Sequence, residues 1–252
     1  PSPYFAKYPL EAIDPVLEKP GDRDDIPLAA LHDRPKQREL TVPERKEIIQ
    51  AYYASISLMD TLVGQLLDSL TRLKLDSNTI IVFVSDHGYH LGAHGLWQKG
   101  DLFEGSCRVP MIISRPGMKA AGKTAAHVAE MIDLYPTLTE LAGLSTPKHV
   151  MGVSLVPVLK NPLQSVRDAA FTVTVSRGPE FRQKYKVKAK GYTLRTDRYR
   201  YTEWGEYGKY GRELYDYEND PEEFTNLSDS QKHESIVTQL SQQLHKRQSE
   251  QK

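Results

Sequence analysis

The sequence predicts an α/β fold that carries a small antiparallel α+β unit at its end, and three observations predict it. An amphipathic stretch over roughly 43–74 runs into a short apolar segment, Ile80–Val84. A second apolar segment, Pro110–Ser114, precedes a helix start near Asp133. After about residue 165 the apolar period changes from three or four to two. A helix feeding a buried strand, then a loop, another strand and another helix, is layered α/β; the later alternation is antiparallel sheet.

Residues 1–40 are rich in proline and charge with few periodic apolar positions, and read as a surface arm laid over a domain. Thr41-Val-Pro-Glu44 has the spacing of a capping box, with Pro in the first turn. Behind it Ile49, Tyr52, Ile56, Met59, Val63, Leu66, Leu70 and Leu73 recur at helical spacing. Ile80–Val84 and Pro110–Ser114 are β-branched and apolar on both faces, the pattern of buried strands in a parallel sheet. The helix near Asp133 tolerates Pro136 in its first turn and ends before Gly143. Phe171–Val175, Lys184–Lys190, Gly191–Thr196 and Arg198–Trp204 alternate and read as antiparallel strands, with a polar helix over roughly 229–247 closing the chain. The expected division is therefore 1–165 and 166–252.

Composition bounds the function. Apolar residues are 39% and glycines number 16, enough for a real core. Lys+Arg 33 balance Asp+Glu 33, so no global field draws the chain to nucleic acid or an anionic membrane. The single cysteine excludes an intrachain disulfide. The longest strongly apolar run, Ile80–Val84, is far short of a membrane span.

Chemistry concentrates in Ser85-Asp-His-Gly-Tyr-His-Leu-Gly-Ala-His-Gly95, directly after Ile80–Val84. Ligands of open α/β sheets sit beyond the carboxyl ends of strands. Two metal readings compete. His87, His90 and His94 would make a zinc site if helical, but the glycines at 88, 92 and 95 give that spacing no reason to converge. Asp86 with His87, completed by carboxylates from elsewhere, suits a hard cation better. An Asp-His pair by itself is as well explained by loop capping. Lys99, with Asp101, Glu104 and Trp97 in the same loop, changes that weighing. An ammonium beside a cation must face something anionic, and a tetrahedral oxyanion ester would reconcile the two.

Val84-Ser-Asp-His-Gly-Tyr-His-Leu-Gly-Ala-His-Gly-Leu-Trp-Gln-Lys99, then Phe103-Glu104 and Arg108–Ile112, resembles the second active-site segment of the type I, formylglycine-dependent sulfatases. Asp133–Gly143, Gly152–Leu159 and Glu213–Leu227 are similar to later motifs of that family, and Gly191–Trp204 most resembles its iduronate-2-sulfatase branch. The resemblance implies an alkaline-phosphatase-like α/β fold, of which this chain is the carboxyl-terminal part, and hydrolysis of a sulfate ester, here a 2-O-sulfated uronic acid of a glycosaminoglycan. It implies that Asp86 and His87 are the later pair of calcium ligands (zinc in related esterases) and that Lys99 touches the sulfate and steadies the leaving oxygen. Arg195, Arg198 and Trp204 are the residues it offers to the sugar. It implies export or a lysosomal address as well.

The family's nucleophile is a formylglycine made from cysteine in Cys-x-Pro-x-Arg. Cys107, in Ser-Cys-Arg-Val-Pro110, does not fit and reads as structural. The early Asp-Asp ligands and the Arg beside the nucleophile are absent too, so the missing amino-terminal portion is an expected partner and the chain alone is expected to be inactive. Phosphoryl or phosphonate ester hydrolysis on the same scaffold, and sulfated-glycan binding without turnover, stand as alternatives. Between Phe181 and Arg212 ten Lys/Arg face three Asp/Glu among eight aromatics. Nucleic-acid binding, a charged guard on an edge strand and glycan contact all remain open for this stretch.

Overall fold

The computed structural model describes residues 2–32 and 34–250. The chain divides into two compact units, Pro1–Asp24 with Leu31–Pro116, and Asp25–Ala30 with Gly117–Lys252. They change over at 116/117, whereas the sheet announced by the period-two pattern begins at Ala170.

The first unit is organised by helix α1 (Val42–Arg72). Its start is the expected capping box: Thr41 N–H donates to Glu44 Oε2 at 2.7 Å and Glu44 N–H reaches Thr41 Oγ1 at 3.5 Å. Only the amino-terminal half of its apolar stripe is covered. Ile49 packs with Ile13 and Trp97, whereas Ile56, Met59, Leu62 and Leu66 are exposed. The amino-terminal arm is more than a surface layer. Ile13 enters that core, and Tyr8 is pinned to α1 through Ser57 Oγ at 2.6 Å and through Gln50, whose Nε2 donates to its carbonyl at 2.7 Å.

Strand β1 (Ile81–Val84) leads to the hairpin β2 (His90–Leu91) and β3 (Trp97–Gln98), a helical turn at Glu104–Cys107, and β4 (Met111–Ser114). The parallel arrangement expected of β1 and β4 is corrected: they pair antiparallel, Ile81 opposite Ser114 and Val84 opposite Met111. An apolar run reports that both faces want cover and says nothing of direction. The connection folds into a hairpin and one helical turn rather than a crossover helix, so the chain returns beside β1 antiparallel.

In the second unit a 3-10 turn at Met131–Asp133 opens helix α2 (Leu134–Leu141), which stops before Gly143 at φ +71° as expected. Asp133 is fully buried and accepts from Val153 N–H at 2.8 Å and Arg167 Nε–H at 2.6 Å. Then come β5 (Ala170–Val175), helix α3 (Pro179–Tyr185), β6 (Lys190–Arg195), β7 (Tyr199–Trp204), β8 (Arg212–Asp216) and helix α4 (Glu234–Glu250). The four strands form one antiparallel sheet in chain order. Leu194, Tyr201 and Leu214 bury their side chains against Val237, Leu240 and Leu244 of α4.

Two expectations fail here. Lys184–Lys190 is not a strand, because Pro179 opens a helix and Phe181 and Tyr185 share its face, 4.9 Å apart. The lysine alternation is therefore not an edge guard. Strand β8 was not foreseen, because its inward positions include the buried carboxylates Glu213 and Asp216, which break the apolar pattern.

Glu213 lies between two donors, Trp204 Nε1–H at 2.6 Å and Tyr215 O–H at 3.1 Å. Burial pushes its carboxyl up to about 7, against the pull of those donors and with Glu223 adding to the rise. A folded pKa above the unfolded value near ~4.3 stabilises the fold at low pH; that contribution is lost as pH rises through about 7. Glu213→Gln should therefore flatten the decline in stability of this unit across that window. Urea unfolding at a series of pH values reads it, and an unchanged slope would put the decline on another group.

Candidate active site

The tip of β1 is turned outward by its own side chains. Ser85 Oγ–H donates to the carbonyl of His87 at 2.8 Å, and Asp86 Oδ1 accepts the His87 N–H at 3.0 Å. The His87 ring is oriented through Nδ1, 2.8 Å from the Gly88 carbonyl. With Nδ1–H donating there, Nε2 carries the free lone pair, and Lys99 Nζ donates to it at 2.6 Å. Asp86 Oδ2 lies 3.4 Å from the same Nε2. Carboxylate, imidazole and ammonium thus meet in one place. Asp86 is 84% exposed and His87 34%, so the cluster opens to solvent.

Gly88 makes this approach possible. Its N–H donates to the Ser106 carbonyl at 2.8 Å, and a Cβ there would fall 2.1 Å from the Gly105 oxygen. Lys99 is held from the other side by the β2–β3 hairpin, flanked by Gln98 at φ +82° and Gly100 at φ +105°. A left-handed glutamine is unusual and marks a backbone constrained to aim its neighbour.

Beneath the tip lies a hub that sequence reasoning missed. Buried Asp101 accepts from His90 Nε2 at 3.0 Å, Phe103 N–H at 3.0 Å and Ser106 Oγ–H at 2.9 Å. Burial would raise its carboxyl, but the charge of His90, the His90 hydrogen bond, His32 and Ser106 together hold it below the usual range. His94 pairs with buried Asp22 at 3.1 Å and stacks on Phe103 at 4.4 Å between ring centres. The three-histidine zinc reading is therefore corrected: His87, His90 and His94 serve three different partners. The only hint had been histidines among glycines, and the Asp22 partner lies 72 positions away. Cys107 is half-buried with Sγ 3.9 Å from the Asp101 carbonyl, as a structural thiol would be.

The residues expected to face a sugar belong to the second unit. Trp204 is a correction: it is fully buried, its indole N–H bound to Glu213, and its ring fills the space a Cβ on Gly191 would need. Arg198 forms a two-pronged pair with Asp216 at 2.8 and 2.7 Å and reaches Glu218 at 2.6 Å. That guanidinium hydrogen bond holds the Asp216 carboxyl down at about 2. Arg195 lies over the Tyr217 ring at 3.6 Å and donates to the Thr196 carbonyl. His127 pairs with Asp197 at 2.6 Å, and that hydrogen bond raises its pKa.

Among the described residues no group of three or more His, Cys, Asp or Glu side chains is placed to hold a metal ion. The fit can still be judged from the donors. Asp86 Oδ2 and the Nε2 lone pair of His87 face the same space, which the Lys99 ammonium fills. A carboxylate oxygen and an imidazole lone pair are donor types that fit a divalent cation, as two of its ligands.

The family model for sulfatases matches residues 3–144, and that for the C-terminal region of N-sulphoglucosamine sulphohydrolase matches 92–250. A sulfatase of Formosa agariphila is 32% identical over 95% of the chain and 45% of its own length. The iduronate 2-sulfatase of Mus musculus is 28% identical over 95% of the chain and 57% of its own length. Among solved structures, a protein in complex with its substrate D-glucosamine-2-N,6-O-disulfate superposes with TM-score 0.72 at 29% identity, over 82% of this chain and 42% of that one. The phosphonate monoester hydrolase of Silicibacter pomeroyi shares the fold, with TM-score 0.86 at 24% identity over 99% of this chain and 53% of that one. The chain thus spans about half the length of the curated relatives it matches.

Proposed function

The chain belongs to the sulfatase family, and from that premise we propose that it supplies the Asp86–His87–Lys99 part of a centre that hydrolyses a sulfate ester. The observation that carries the reading is the meeting of those three side chains at the tip of β1. In the reaction the sulfur–oxygen bond to the sugar breaks, and the oxygen of water ends on sulfur. Lys99 donates a hydrogen bond to the departing ester oxygen, where negative charge develops, and so lowers the barrier at the moment of cleavage. Asp86 and His87 would hold a divalent cation, calcium by the oxygen-rich chemistry of the family and zinc as the alternative. When bound, that cation supplies electrostatic stabilisation of the sulfate oxygens. His87 is pre-oriented for this by the Gly88 carbonyl, which fixes the tautomer with the lone pair on Nε2.

The nucleophile is proposed to lie outside these residues, since Cys107 faces the Asp101 carbonyl and lacks the formylglycine motif. A 2-O-sulfated uronic acid is the proposed substrate, supported by the likeness to iduronate 2-sulfatase. Export or a lysosomal address is proposed on the same ground. No helix among the described residues is long and apolar enough to cross a membrane. Phosphonate or phosphate ester hydrolysis is the second reading, favoured by the fold shared with a phosphonate monoester hydrolase.

The test uses the full-length protein on matched aryl sulfate and aryl phosphate, then on a 2-O-sulfated disaccharide. Faster turnover of the sulfate, with release of sulfate from the disaccharide, is expected. A preference for phosphate would install the second reading, and glycan binding with no turnover of either ester would remove the enzyme.

A further inference from the structure

The antiparallel sheet sorts its charge by end. Register places the finish of β5, the start of β6, the finish of β7 and the start of β8 together, since Val175 pairs with Lys190, Gly191 with Trp204 and Glu203 with Arg212. The segments at that end, 176–190 and 205–212, carry eight Lys/Arg and two Asp/Glu. The turns at the other end, 196–198 and 217–223, carry five Asp/Glu and one Arg. In a chain with no net charge this is a strongly basic face.

Its cations are exposed and not consumed by ion pairs. Among the described residues none of the ammonium groups of Lys184, Lys186, Lys188, Lys190 and Lys209 has a carboxylate partner, and all five are exposed. The surface has a rigid base. Phe181 is buried, with Tyr185 and Tyr210 ringed on it at 4.9 and 5.3 Å and 5.1 Å from each other. Lys184 lies over the Tyr185 ring at 5.2 Å and Lys209 over the Tyr210 ring at 5.5 Å. Because the lysines cap those ring faces, the rings do not offer the open platforms on which nucleic-acid bases stack. Beside those two rings and the exposed Tyr207, the segment offers a group of compact point charges, which suits tetrahedral sulfate groups along a flexible chain.

We propose that this end of the sheet binds a sulfated polysaccharide, holding the polymer whose ester the protein acts on; that last clause rests on the sulfatase reading. The probe is heparin, compared with the same polymer after chemical desulfation, titrated against the chain at low and physiological salt. Wild-type protein should bind heparin and not the desulfated polymer, more weakly as salt rises. Replacing Lys184, Lys186, Lys188 and Lys209 together by Gln should weaken binding on the order of tenfold or more. The exposed pair Lys119→Gln and Lys123→Gln should leave it unchanged. Equal binding by wild type and the fourfold variant would overturn the proposal, as would equal binding of the desulfated polymer. Tighter binding of a single-stranded oligonucleotide of matched charge would assign the surface to nucleic acid instead. Turnover of an aryl sulfate by the full-length protein is read in parallel. Turnover with heparin binding indifferent to the four lysines removes this surface alone. Lysine-dependent binding without turnover removes the sulfatase reading and leaves the surface standing.

Discussion

Lys99→Ala in the full-length protein is expected to lower kcat on a sulfate ester by about a hundredfold or more, the scale of losing one preorganised donor at a developing oxyanion. The side chain is exposed and, among the described residues, its hydrogen bond goes to His87 Nε2, so the fold should be little affected. KM should move far less than kcat, because the donor matters most when the ester oxygen takes up charge. Lys99→Arg keeps the charge on a planar fork with a different reach, and should recover only part of the rate. Steady-state kinetics on one aryl sulfate decides the matter. Turnover near wild type in the alanine variant would remove Lys99 from the mechanism.

The largest expected loss of stability comes from Asp101→Ala. Three donors would be stranded, namely His90 Nε2, Phe103 N–H and Ser106 Oγ–H. Removing one member of a buried charged network costs about 3–5 kcal/mol. Its pH dependence carries a definite sign. The folded pKa lies below the unfolded value near ~3.9, so the contribution is whole above that value and is lost as pH falls through the folded one. The variant should therefore be much less stable than wild type at neutral pH, with the gap narrowing in acid. Chemical denaturation at both pH values measures it, and a loss under about 1 kcal/mol at neutral pH would contradict the role given to Asp101. Activity should fall with stability, because the Ser106 carbonyl that clamps Gly88 sits on the same turn.

What could be read in the sequence was local chemistry and periodicity. The capping box at Thr41 and the stop at Gly143 depend on a few neighbouring residues, and the structure has them where the pattern puts them. The convergence of Asp86, His87 and Lys99 was legible for a related reason: all three lie within one short segment whose motif constrains its folding. Where period and composition point apart, the sequence misled. Alternating lysines looked like a strand, yet Pro179 and the Phe181–Tyr185 pair carry a helix as far as Tyr185, Lys186 caps it in the left-handed region, and buried carboxylates hid β8.

Residue types and spacing, then, were enough for the family, the helix start at Thr41, the stop at Gly143 and the cluster at the tip of β1. Tertiary structure alone decided that β1 and β4 run antiparallel, that His94 belongs to Asp22 and His90 to Asp101, and that Trp204 is sealed inside the second unit. The reason is physical. Capping and turn chemistry are settled by residues a few positions apart, whereas the partner of a buried charge, the direction of a strand and the exposure of a ring depend on which distant segments arrive beside them.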